Sequence, residues 1–110
     1  VTRLLSLSQL SLDSSQNTLC VTGDVGMGAA AELAAAGKKW LQATEQREVT
    51  FDFNGVHKAS SAVISVLFEW MRTCQSRSIT VNAVTLSAPL ERLALLSEIE
   101  SLIHPPTHAH

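Results

Sequence analysis

The sequence predicts a small α/β fold, a mixed β-sheet carrying helices mainly on one side. Three observations lead there. Apolar residues alternate at a spacing of two in some segments and recur at three and four in others, the periods of strands and of amphipathic helices. The first two strand-like segments are joined by a short polar stretch, which suits an antiparallel hairpin, whereas the later ones are separated by helical segments, the connection that parallel pairing requires. Finally, 110 residues with 45% apolar and 16% charged side chains suffice for one modest core and not for two.

The elements follow in order. Leu10 to Asp13 and Thr18 to Val25 are rich in Leu, Val and Thr, and Ser14, Ser15, Gln16 and Asn17 between them form a polar four-residue connection. Gly28 to Ala43 is alanine-rich and helical in character, with Gly37 in its middle. Glu48 to Phe53 alternates, with Val49, Phe51 and Phe53 on one face, and is expected to be the central strand. After Asn54, Gly55 and the polar run His57 to Ser60, a helix is expected from Ser61 to about Ser76, with Ser60 as its N-cap. Val63, Leu67, Trp70, Met71 and Cys74 make its apolar stripe, which Ile64 and Phe68 widen. Ser78 to Val84 alternates again as a strand. Ser87 and Pro89 open a last helix carrying Leu90, Leu93 and Leu96, and Pro105 and Pro106 end regular structure. The chain is expected to be one domain over 1–110, with its core at about 10–103 and a frayed tail at 104–110.

Composition narrows the functional classes. Eight Lys plus Arg against ten Asp plus Glu give a formal charge of −2, without the basic excess that binding to nucleic acid demands. Cys20 and Cys74 sit among apolar neighbours, as free cysteines in a reducing compartment do. Val1 to Leu12 is leucine-rich but interrupted by Ser6, Ser8, Gln9 and Ser11, so it lacks the unbroken apolar run of a signal peptide. No stretch offers eighteen consecutive apolar residues to a bilayer. A cytoplasmic protein that reaches a membrane only through a partner is expected.

Few residues promise chemistry. Gly26, Gly28 and Ala31 match a dinucleotide fingerprint, with Asp52 ending the next strand. The chain has room for only one short sheet, however, and Asp24 beside the glycines opposes a pyrophosphate. His104, His108 and His110 lie beside two prolines, with no rigid frame to present them to a metal. His57 and Lys58 near Ser61 could suggest a base beside a nucleophile, but no acidic group stands by to orient them. No catalytic set, metal site or cofactor is therefore expected. What remains is Ser60-Ser61-Ala62 at a helix start, where unpaired amides and the positive end of the helix dipole converge. Ser60 suffices for the cap, which leaves Ser61 free for a partner.

The order of elements and three local sequences together resemble the STAS family of anti-sigma-factor antagonists and transporter tails. Leu19-Cys20-Val21-Thr22-Gly23-Asp24-Val25 is similar to its apolar strand ending in Gly and an acidic residue. Val49 to Val56 is similar to its central strand, and Ala59 to Leu67 falls where the family has a hydroxyl residue before an aliphatic helix. The resemblance runs from about Leu10 to Ile103. It implies a STAS-like (SpoIIAA-like) fold, with Ser61 in the place of the phosphorylatable Ser or Thr. The family's preceding Asp is Ser60 here, and its following glycines are Ala62 and Val63. The short free-standing form is most similar to the MlaB group, cytoplasmic STAS subunits of the Mla phospholipid-transport ABC complex.

That resemblance implies a non-enzymatic subunit, peripheral to the inner membrane, that docks on an ABC ATPase of the MlaF kind and through it on the permease. Ser61 is then the centre of a docking patch with His57, Lys58, Ser60, Ser65 and Glu69. The alternative is an antagonist of an anti-sigma factor, switched when a serine kinase phosphorylates Ser61.

Overall fold

The computed structural model describes residues 1–58 and 60–96. Five strands and three helices alternate in the order β1 (Thr2–Ser6), β2 (Leu10–Ser15), β3 (Thr18–Gly23), α1 (Met27–Ala43), β4 (Glu48–Gly55), α2 (Ser61–Ser76), β5 (Thr80–Leu86) and α3 (Ala88–Leu96). They form one mixed sheet in chain order. β1, β2 and β3 pair antiparallel, and β3, β4 and β5 pair parallel. The predicted class holds, and so does the order from β2 onward; β4 lies inside the sheet, between β3 and the edge strand β5.

Alternation along each strand separates two faces. On the inner face, Ser14, Leu19, Phe51 and Val84 stand in one row of register partners, all of them buried. On the opposite face the corresponding row is Arg3, Asp13, Cys20, Asp52 and Thr85, and none of these is buried. The helices cover only the apolar face, as burial of that face requires.

The largest buried side chain is Trp70 of α2. It stacks in tilted fashion on Phe51 and Phe53 of β4, with ring centroids 5.4 and 5.5 Å away, the offset geometry that aromatic quadrupoles favour. Its indole Nε1 donates to the Ala34 carbonyl of α1 at 3.2 Å, so one side chain ties two helices to the central strand. A second tie is Arg77, whose Nη1 donates to the carbonyls of Leu41 and Gln42 at 2.8 and 2.6 Å. This cation satisfies carbonyls that the end of α1 leaves open.

Several details differ from the sequence reading. β4 continues to Gly55, and β5 runs Thr80–Leu86 where Ser78 to Val84 was expected. A first strand, Thr2–Ser6, precedes the expected hairpin, so the sheet begins before residue 10. β2 continues to Ser15, leaving only Gln16 and Asn17 as the turn, with Gln16 at φ 54. β3 stops at Gly23, short of Val25, because the chain there adopts φ +109 with the Gln9 carbonyl against it; a Cβ would lie 2.1 Å from that oxygen. Only glycine fits. The buried stripe of α2 includes Val66 and Thr73, whereas Met71 and Phe68 are half-buried at its border. The tail at 104–110, with His104, His108 and His110, lies outside the described residues.

Candidate functional site

β3, β4 and β5 run parallel, and each is followed by a helix. The N-termini of α1, α2 and α3 therefore lie along one edge of the sheet, at the carboxyl ends of the parallel strands, where open α/β sheets place their sites. Helix dipoles give this edge a positive bias.

α2 presents the candidate residues. Ser60 is its N-cap, with extended backbone and a side-chain oxygen that accepts from the Val63 N–H at 3.4 Å. Ser61, the first helical residue, is exposed, and so is Ser65 one turn later. His57 and Lys58 are exposed on the preceding loop. Glu69 continues the line at helical spacing but is committed: its carboxylate accepts from Arg72 Nη2 at 2.8 Å and lies 3.9 Å from Lys38 Nζ of α1. The helix start and the loop thus supply the open hydroxyls and cation, while Glu69 closes the far end as part of an ion-pair cluster. Lys38 and Arg72 joined that end unannounced. Arg72 was legible as the i+3 neighbour of Glu69, whereas Lys38 arrives through helix packing.

Two further polar atoms mark the same edge. Asp24 Oδ1, just beyond β3, and Ser87 Oγ, just beyond β5, are buried without a hydrogen-bond partner among the described residues. Neither state was legible from the residues alone, because burial at a strand's end depends on the neighbouring connections.

Gly26 and Gly28 have no atom of the described residues within 4 Å of an added Cβ, so no contact within the protein itself demands glycine there. Asp52 lies on the open face of the sheet, and its Oδ1 accepts from the Asn54 N–H at 2.9 Å. Its Oδ2 lies 3.9 Å from Cys20 Sγ. Burial, then the Asp52 carboxylate, push the Cys20 thiol up, away from reactivity. Among the described residues no group of three or more His, Cys, Asp or Glu could hold a metal ion, and no helix is long and apolar enough to cross a membrane.

A family model described as "Mlab, STAS domain" matches residues 8–104. The chain belongs to the STAS family. Among solved structures, this STAS chain is similar to the anti-sigma factor antagonist SpoIIAA in its unphosphorylated form. The TM-score is 0.65 at 12% identity, covering 82% of this chain and 81% of that one. It is also similar to an anti-sigma factor antagonist from Mycobacterium paratuberculosis, with a TM-score of 0.66 at 15% identity over 94% of this chain and 92% of that one. At such identities the likeness establishes the fold, a SpoIIAA-like mixed sheet with helices on one face. No curated protein matches the sequence.

Proposed function

We propose that this STAS domain is a non-enzymatic, cytoplasmic subunit of a bacterial phospholipid-transport complex of the Mla type. The start of α2 docks on the ABC ATPase, and the ATPase links the domain to the permease and so to the inner membrane. The observation that carries this reading is the match, across nearly the whole chain, to the STAS family model described by the name Mlab.

The geometry suits such a role. A docking patch is most effective when it is already rigid, because less order must be imposed on binding. Trp70, Leu67 and Val63 are buried beneath the exposed Ser61 and Ser65, so α2 is seated before any partner arrives. Ser61 offers a small hydroxyl at the positive helix end, and exposed His57 and Lys58 add donors beside it. Contact at this surface stabilises the ATPase dimer and thereby supports nucleotide hydrolysis, while the STAS subunit turns over nothing.

A second reading is favoured by the solved relatives, both named as anti-sigma factor antagonists. In it a serine kinase phosphorylates Ser61, adding about −1.5 to −2 charges at the helix start and changing the hold on an anti-sigma factor. Affinity capture of the tagged full chain from native membranes, read by mass spectrometry, separates the two. The transport reading expects an ABC ATPase together with its permease. Recovery of a serine kinase or an anti-sigma factor in their place would contradict it and support the switch.

A further inference from the structure

A cationic cleft lies at the edge of the sheet opposite Ser61. α1 and α2 follow parallel strands, so both helices end at that edge, and the Arg77 contacts with Leu41 and Gln42 fasten the two ends together. Between them opens a cleft of about 340 Å³ that brings Lys38 of α1 beside Glu69 and Arg72 of α2 and the Arg77 guanidinium. Glu69 Oε2 accepts from Arg72 Nη2 at 2.8 Å, and Glu69 Oε1 lies 3.9 Å from Lys38 Nζ. One carboxylate is thus shared between two cations, and Arg77 adds a third that has no acidic partner among the described residues. This local positive excess stands in a chain of formal charge −2. Helix capping explains only part of it. Arg77 serves the open carbonyls of α1, but neither helix has a basic residue in its last turn, so Lys38 and Arg72 are not placed to offset the helix dipoles.

Hydrogen-bonding capacity in the cleft is equally lopsided. Guanidinium and ammonium groups donate and never accept. Among the described residues Arg72 donates only through Nη2 and Arg77 only through Nη1, which leaves Nε and the other terminal nitrogen of each guanidinium open. Lys38, at 3.9 Å from its carboxylate, makes no hydrogen bond to it. The Thr73 hydroxyl is already spent on the Glu69 carbonyl at 3.0 Å. A surface rich in donors and positive charge, with few acceptors, is matched by a ligand of the reverse kind, a phosphate group, whose oxygens accept and which a guanidinium can grip with two parallel bonds. We propose that this cleft binds a phosphate group, carried on a lipid headgroup or free in solution, with Lys38 and Arg72 as its ligands and Arg77 adding charge. The site stands about 16 Å along α2 from Ser61, at about 1.5 Å per residue, and does not depend on which partner Ser61 meets.

Heteronuclear NMR of the full chain, titrated with inorganic phosphate in place of chloride at constant ionic strength, tests this. Expected are saturable shifts of the Arg72 and Arg77 side-chain N–H signals and of the Ser76 amide. Lys38→Gln and Arg72→Gln should each weaken binding by about fivefold, and Glu69→Gln should tighten it by as much, the effect of one unit charge at about 4 Å in water. The tightening separates a ligand site from an ion-pair cluster that serves only the fold, and unfolding curves show that each variant is folded. Shifts that rise linearly without saturating, or equal affinities in the parent and all three variants, would overturn the proposal. Co-sedimentation with vesicles identifies the source of the phosphate. Binding to phosphatidylglycerol vesicles and not to phosphatidylcholine, lost in Arg72→Gln, assigns it to a lipid headgroup; saturable binding of inorganic phosphate without vesicle binding assigns it to a soluble phosphate; neither would overturn the site.

Discussion

Gly37 lies in the middle of α1, where glycine weakens a helix by about 1 kcal/mol relative to alanine. The indole of Trp70 explains it, because a Cβ at this position would lie 2.2 Å from Trp70 Cε2. Gly37→Ala should therefore lower stability by about 1–3 kcal/mol, as overpacking does, in spite of the better helix propensity. Gly28→Ala, at a position with open space around it, should be neutral or stabilising by up to about 1 kcal/mol. Denaturant melts of the two variants check this contrast, and a stabilised Gly37→Ala variant would contradict the packing. Cys74 makes a second test at this scale. Burial raises its thiol from the ordinary 9.0 to about 11, so the folded chain keeps a proton that the unfolded chain releases earlier. The stability associated with that difference is intact below pH 9 and declines as the pH rises from 9 toward 11. Urea unfolding across this window should show a steeper alkaline decline for the parent than for Cys74→Val; equal slopes would count against the raised pKa. The reason for Gly37 was not legible in the sequence, since its cause stands 33 positions away, whereas the buried character of Cys74 was plain from its place in an apolar stripe.

Among the elements, α2 carries the most consequence, because one side is fastened to the sheet and the other presents Ser61 and Ser65. Leu67 is fully buried in that fastening, and Leu67→Ala should cost about 2–5 kcal/mol, measurable by thermal or chemical unfolding. A variant as stable as the parent would misplace the buried face. The sequence located this helix, its Ser60 cap and most of its stripe because the three-and-four periodicity is unbroken there. It missed β1 because Leu4 and Leu5 interrupt alternation, and the structure shows why: the pairing with β2 slips between Arg3 and Leu5, an irregularity that removes the period-two signal. β5 slips likewise between Val81 and Ala83 against β4. The sequence reading of this strand, Ser78 to Val84, is accordingly displaced by two residues at each end: Ser78 stands in a turn at φ 58, and β5 runs Thr80–Leu86.

For the whole molecule, a parallel half-sheet with a helix after every strand collects three helix starts on one edge, and the candidate surface follows from that topology. The sequence could identify the surface residues of α2 because capping and exposure are local properties. It could not show that Glu69 is held by Lys38 and Arg72, nor that Asp24 and Ser87 bring unpartnered buried oxygens to the same edge. Those facts depend on how separate connections meet.

Docking through the start of α2 requires Ser61 to touch the partner. Its most direct test is the affinity of the purified full chain and of Ser61→Glu for the ABC ATPase, with thermal unfolding as the control for folding. Ser61→Glu should bind more weakly by about tenfold or more, equivalent to about 1.4 kcal/mol, at an unchanged melting temperature. Equal affinity and equal stimulation of ATP hydrolysis by the two proteins would contradict it.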